Sequence, residues 1–172
     1  MTRVVTVGAA QLGPIQKAES RTSVVARMIA LLERAHQQGC GLVVFPELAL
    51  TTFFPRWYME DQSEVDQWFE SSMPDENTQP LFDAAKEYGI GFYLGYAEKA
   101  NEDNGTHYYN TSSLVDGSGK IVGKYRKVHL PGHAEYDPDR SFQHLEKRYF
   151  EPGNLGFPVW RMMDGVFGMC IC

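Results

Sequence analysis

The stretch Leu42-Val43-Val44-Phe45-Pro46-Glu47 decides the fold. Four consecutive apolar residues read as a short buried strand, because a strand covered on both faces needs no polar alternation. Just before it, Val24, Val25, Met28, Leu31, Leu32 and Ala35 recur at helical spacing, with Glu33, Arg34 and Gln37 elsewhere on the wheel. This spacing predicts an amphipathic helix over residues 20–38, closed by Gly39 and Gly41. Further upstream, the apolar residues 4–12 predict a first buried strand, ended by Gly13-Pro14. Strand, helix and strand in that order make a βαβ unit with a parallel sheet, and so an α/β protein. Glu47 then falls at the carboxyl end of a strand, where open α/β sheets place their ligands.

Downstream of Glu47 the pattern loosens. Residues 48–58 form an aromatic-rich loop whose rings suit the apolar wall of a substrate pocket. Polar helix-like segments follow, the clearer one ending Phe82-Asp83-Ala84-Ala85-Lys86-Glu87-Tyr88-Gly89. Residues 90–97 predict a third strand. Residues 108–115 and 121–125 predict a hairpin around Asp116-Gly117-Ser118-Gly119, whose Gly and Asp residues tolerate the positive φ of a tight reversal. Residues 130–158 read as loop. Val166-Phe167-Gly168-Met169-Cys170-Ile171-Cys172 reads as a buried strand still running at the last residue, so the domain, residues 1–172, is expected to be incomplete at its C-terminal end.

Composition narrows the class. The chain has 172 residues, 43% hydrophobic and 22% charged, enough for a core of its own. A formal net charge of -6 argues against a nucleic-acid backbone or an anionic membrane as the main partner. It leaves a small anionic substrate open, since one cation dominates inside a cleft. Three cysteines, an odd number, favour a reducing cytoplasm over a disulfide scaffold. Arg3 followed by apolar residues 4–10 has the outline of a signal peptide, but Thr6 interrupts it and Gln11-Leu12-Gly13-Pro14 continues as strand end and turn.

Spacing removes several other readings. Gly117-Ser118-Gly119-Lys120-Ile121 lacks the first glycine and the hydroxyl of a phosphate loop, and Gly89-Ile90-Gly91 has Leu94 where a dinucleotide fingerprint needs glycine. His129, His133 and His144 share a region, yet Pro131-Gly132 prevents a helix from presenting the first two on one face, so no metal is expected. Lys124-Tyr125-Arg126-Lys127 reads as a solvated strand end rather than a nucleic-acid patch, with Lys124 and Arg126 on one side and Tyr125 and Lys127 on the other, so that Lys127 is expected to point inward with Tyr125. Asn110 or Tyr58 could line a pocket, but no motif singles them out.

Glu47, Lys127 and Cys172 together suit acyl chemistry. A thiol with a reference pKa of about 8.5 needs a base to become a nucleophile. Glu47 can take that proton, and a charged Lys127 can hold the oxyanion formed by attack on an amide-like carbonyl. Singly, each has a plainer reading: a helix-capping acid, a surface cation and a small core hydrophobe.

Three ordered segments carry a resemblance. Phe45-Pro46-Glu47-Leu48, then Gly123-Lys124-Tyr125-Arg126-Lys127-Val128-His129-Leu130, then Gly168-Met169-Cys170-Ile171-Cys172 resemble the catalytic signatures of the nitrilase superfamily of carbon–nitrogen hydrolases. The resemblance spans the chain but only the first half of the family's domain. It implies a four-layer αββα sandwich in which Glu47 is the general base, Lys127 the oxyanion-stabilising cation and Cys172 the nucleophile.

Within the superfamily, Pro46-Glu47-Leu48-Ala49-Leu50-Thr51-Thr52-Phe53-Phe54-Pro55-Arg56-Trp57, and His129-Leu130-Pro131-Gly132-His133 continuing through Phe142-Gln143-His144-Leu145-Glu146-Lys147-Arg148-Tyr149-Phe150-Glu151-Pro152-Gly153, look most like N-carbamoyl-D-amino acid hydrolases. On that resemblance Glu146 is a further acid beside the triad, and His129 and His144 are substrate-pocket residues. It further implies no cofactor, a cytoplasmic homo-oligomer (dimer or tetramer), no nucleic-acid or membrane partner, and carboxylate-binding groups placed after Cys172. Related amidases acting on β-ureido acids, carbamoylated amines or simple amides share the triad, and a non-catalytic member would keep the fold.

Overall fold

Ser20 starts the helix that the periodicity predicts. Its hydroxyl accepts a hydrogen bond from the Ser23 N–H at 3.2 Å, satisfying a donor that the first turn leaves free. Helix α1 follows β1 (Val7–Ala9) and spans Arg21–Gln37, with Arg34 and His36 in its last turn where cations suit the dipole. Val24, Val25, Met28 and Leu32 are buried on one stripe. Each such side chain contributes roughly 2 kcal/mol of transfer free energy before ordering costs.

The remaining elements are β2 (Leu42–Val44), a 3-10 turn at Phe54–Arg56, α2 (Gln62–Asp66), α3 (Gln79–Tyr88), β3 (Gly91–Glu102), β4 (Gly105–Val115), β5 (Ile121–Arg126), α4 (Glu146–Tyr149), β6 (Val159–Met162) and β7 (Gly165–Gly168). The computed structural model describes residues 4–172; residues 1–3, with the expectation placed on Arg3, lie outside the described residues. No described helix is long and apolar enough to cross a membrane.

One five-stranded sheet runs in the order β1-β2-β3-β4-β5. The βαβ expectation holds: β1 pairs parallel with β2, Val7 opposite Leu42, and β2 pairs parallel with β3. The rest is antiparallel. The two faces differ in what covers them. Val43, Phe92, Leu94, Tyr96 and Val115 share a core with α1 and α3. On the other face, Leu42 and Leu114 pack with Met162 and Trp160 of the separate β6-β7 ribbon. The resulting order, helices, sheet and second sheet, matches the first three layers of the expected αββα sandwich.

Several expectations change. The first strand is only Val7–Ala9, and Val7 is 49% exposed because β1 is an edge strand with its outer face uncovered. Strands β3 and β4 run well past residues 97 and 108 and meet at Glu102 opposite Gly105. The last apolar run is not a buried strand: β7 ends at Gly168, Val166 is 59% exposed and Cys172 is exposed. Residues 130–158 contain a helical turn, α4. Phe54 is no pocket wall but the centre of a second core, stacked on Trp68 at 5.6 Å and packed against Phe69, Tyr149 and Phe150. The hairpin at Asp116 is as expected. Its carboxylate accepts from the Ser118 and Lys120 amides, and Gly119 takes the φ of +75° that closes the turn.

Candidate active site

Glu47 stands where the chain leaves the sheet. The Phe45 amide still donates to the Tyr93 carbonyl of β3, and the Ala49 amide donates to the Gly95 carbonyl, so residues 45–49 lie against the middle of β3. Gly95 makes that approach possible: a Cβ there would sit 2.9 Å from the Glu47 Cα and 2.8 Å from the Pro46 carbonyl oxygen. Immediately after Glu47, Leu48 holds a left-handed φ of +48°. A buried non-glycine residue in that region stores about 1–3 kcal/mol of strain, and such strain gathers at functional sites.

Lys127 arrives from the other direction. Pairing between β4 and β5 continues one step beyond Arg126, because the Lys127 amide donates to the Asn110 carbonyl at 2.8 Å. Alternation sends Lys124 and Arg126 to the helix side, where both reach Glu98 at 2.7 and 2.8 Å, and sends Lys127 to the opposite face. The alternation is as the sequence predicts, and so is the inward turn of Lys127 with Tyr125; the solvation expected of the Arg126 side is not. Arg126 and Lys127 are 5% and 4% exposed, each neutralised by buried acids rather than by water.

The Lys127 Nζ lies 2.6 Å from Glu47 Oε1 and 2.8 Å from Glu146 Oε2. Burial works against its charge, but the hydrogen bonds it donates to Glu146 and Glu47 outweigh that penalty and its pKa is raised. The two carboxylates are used differently. Both oxygens of Glu146 are engaged, Oε2 by Lys127 and Oε1 by His144 Nε2 at 2.9 Å. Glu47 receives both of its donors on Oε1, from Lys127 and from Asn110 Nδ2, each at 2.6 Å. Among the described residues, Oε2 of Glu47 makes no hydrogen bond. The Glu146 side chain is 2% exposed and that of Glu47 19%, so Glu47 is the carboxylate a ligand can reach.

The structure thus brings together Glu47, Lys127, Glu146 and His144. Glu146 pairs with Lys127 rather than with its neighbours Lys147 or Arg148. His129 is not in the cluster: beyond Lys127 the chain leaves the ladder, and the exposed His129 ring stacks on Phe157 at 6.1 Å. Tyr58 packs on Tyr136 and under Arg148 and does not border the cavity beside Glu47. The segment before Cys172 is tied to the site face of the sheet, where the Tyr93 hydroxyl donates to the Cys170 carbonyl at 2.8 Å. Burial pushes that phenol up to about 12, so it remains a donor at neutral pH. Among the described residues no hydrogen bond or ion pair joins the Cys172 thiol to Glu47 or Lys127. Sequence reasoning missed the parts played by Gly95 and Asn110. Only the cross-strand register, Gly95 opposite Ser112 and Ala97 opposite Asn110, brings them to Glu47.

A cavity of about 450 Å³ opens beside Glu47, bordered by Leu12, Thr52, Phe53, Trp57 and two cations, Lys17 and Arg56. Both cations lie over the Trp57 ring, at 5.0 and 5.8 Å from its centroid. Phe53 and Trp57, from the aromatic-rich loop, are the cavity's aromatic border.

Residues 6–172 match the family model described as carbon-nitrogen hydrolase. The chain belongs to the carbon–nitrogen hydrolase family. It is 35% identical over 142 residues to a nitrilase of Pyrococcus abyssi, a match covering 83% of this chain and 46% of that protein. It is 28% identical over 173 residues to the N-carbamoylputrescine amidase of Solanum lycopersicum, covering 99% of this chain and 51% of the relative. Among solved structures, the carbon-nitrogen hydrolase from Helicobacter pylori G27 superposes with a TM-score of 0.73 at 24% identity, over 98% of this chain and 51% of that one. This last likeness establishes the shared fold. The chain spans about half the length of these carbon–nitrogen hydrolases, and the names they carry do not include N-carbamoyl-D-amino acid hydrolase.

Proposed function

We propose that the protein hydrolyses the terminal C–N bond of a carbamoylated amine, and that its substrates are carboxylate-bearing ureido acids, N-carbamoyl-D-amino acids first among them. One observation carries the chemistry: a charged, buried Lys127 held between two carboxylates, of which only Glu47 keeps a free and accessible oxygen. In this reading Glu47 takes the Cys172 proton and the thiolate attacks the ureido carbonyl. Lys127 holds the oxyanion, ammonia leaves, and water hydrolyses the thiol-linked carbamoyl group to free amino acid and carbon dioxide. No cofactor enters this path. His144 orients Glu146, while His129, which stacks on Phe157 outside the cluster, takes no part in the proton transfer.

The cavity favours an anionic substrate. Lys17 and Arg56 flank the space beside Glu47, so a substrate carboxylate gains there and the free ammonium of a carbamoylated diamine is repelled. The family relationship to an N-carbamoylputrescine amidase keeps carbamoylated amines as the second reading. The expected setting is a cytoplasmic homo-oligomer. Ammonia release by the full-length protein from N-carbamoyl-D-phenylalanine, its L enantiomer, a β-ureido acid and N-carbamoylputrescine separates the readings. Preference for the D ureido acid supports the proposal, preference for the diamine overturns the substrate class, and silence on all four with an intact thiol indicates a non-catalytic member.

A further inference from the structure

Asn110 is fully buried in β4, next to the strand end that carries Lys127. Its backbone carbonyl accepts the Lys127 amide at 2.8 Å, and its side-chain Nδ2 donates to Glu47 Oε1 at 2.6 Å. The reverse amide orientation would set Oδ1 against a carboxylate oxygen, acceptor against acceptor, so the donor must face Glu47. The opposite end of the amide is left unmatched: Oδ1 is buried without a hydrogen-bond partner among the described residues. A buried acceptor without a donor is costly, and an aliphatic residue in its place would avoid that cost. What Asn110 supplies in return is the donor to Glu47.

We infer that Asn110 is a positioning residue which, with Lys127, clamps Oε1 of Glu47 and so makes Oε2 the oxygen that takes the nucleophile's proton. This inference rests on the reading of Glu47 as the general base. Two donors converging on one carboxylate oxygen leave a single rotation of the carboxylate and a single free oxygen. The syn and anti lone pairs of Oε2 then point in fixed directions. Lys127 alone cannot do this, because it is shared with Glu146 and a single donor lets the carboxylate swing about it.

The test is the pH dependence of kcat/KM for ureido hydrolysis by the full-length protein carrying Asn110→Ala, Asn110→Asp or Glu47→Gln. Asn110→Ala deletes the donor, and Asn110→Asp keeps the shape while facing Glu47 with a second negative charge. Both should lower kcat by about tenfold or more with KM changed by less than about threefold. The acidic limb should move to higher pH by about one unit in Asn110→Ala and further in Asn110→Asp, since a lost hydrogen bond and a like charge both disfavour the carboxylate. Asn110→Ser, which keeps a donor in a smaller side chain, should lie between the wild type and Asn110→Ala. It also replaces Asn110→Asp if that variant does not fold. An acidic limb unmoved in every folded Asn110 variant overturns the inference while leaving the base assignment intact. Turnover by Glu47→Gln would instead overturn that assignment itself.

Discussion

Lys127 and Glu47, eighty residues apart in sequence, meet with Nζ 2.6 Å from Oε1, and the same ammonium reaches Glu146 at 2.8 Å. One buried ammonium is therefore shared between two carboxylates. Removing the cation leaves two carboxylates facing each other in a buried site. Lys127→Met should cost about 3–5 kcal/mol of stability, measured by denaturant melts, and should abolish turnover. Adding Glu146→Gln to Lys127→Met should restore part of the stability and none of the activity, a coupling that a double-mutant cycle reads directly. The raised Lys127 pKa sets the sign at high pH. Its stabilising contribution is complete below its ordinary 10.5 and is lost only as pH rises through the higher folded-state value.

Gly95 offers a test that touches no reacting group. A methyl group added there would crowd the Glu47 Cα and the Pro46 carbonyl, both backbone atoms with nowhere to move. Gly95→Ala is expected to destabilise by about 1–3 kcal/mol and to lower kcat far more than stability alone implies, because the shift falls on Glu47, the proposed base. Stopped assays at substrate saturation, beside a thermal melt, compare the two effects.

On the helix side of the sheet, Glu98 contributes to the acid limb of stability. Burial would raise its pKa, but hydrogen bonds from Arg126, Lys124 and Thr111 hold it below its ordinary 4.5. A depressed carboxylate contributes stability above its unfolded value and loses it as pH falls through the folded one. The wild-type melting temperature should therefore fall steeply below about pH 4.5, while Glu98→Gln, already weaker at pH 7, should show a shallower acid decline. Parallel curves for the two proteins would contradict this account of the Glu98–Arg126 pair.

His144 holds Glu146 rather than the free oxygen of Glu47. His144→Ala leaves the second oxygen of a carboxylate that is 2% exposed without a partner, so turnover should fall by about tenfold or more while substrate affinity changes less. Steady-state kinetics on a ureido acid gives both numbers.

What the sequence made legible followed periodicity. Helix α1 and the strand at Leu42 carry strong apolar spacing, and each appears within a residue or two of its expected place. The extension of β3 and β4 did not show, because residues 98–107 are almost wholly polar. Glu98 and Lys99 are satisfied by ion pairs, and His107 by a hydrogen bond with Glu151, rather than by apolar burial. The one-turn helix α4 is too short to display a period, yet its first residue is Glu146. Glu47, Lys127 and Glu146 were recoverable through ordered resemblance. Asn110 and Gly95 were not, since their parts depend on cross-strand register, which a single sequence does not display.

The central claim is that Cys172 is the nucleophile of a ureido hydrolase driven by Glu47 and Lys127. The most direct measurement is intact mass after brief mixing of the full-length protein with N-carbamoyl-D-phenylalanine and acid quench, followed by peptide mapping. The account predicts a carbamoyl adduct on Cys172 that decays with ammonia release already complete, and no adduct in Cys172→Ala or Glu47→Gln. Steady turnover by Cys172→Ala, or an adduct mapped to Cys170 or Cys40, would contradict it.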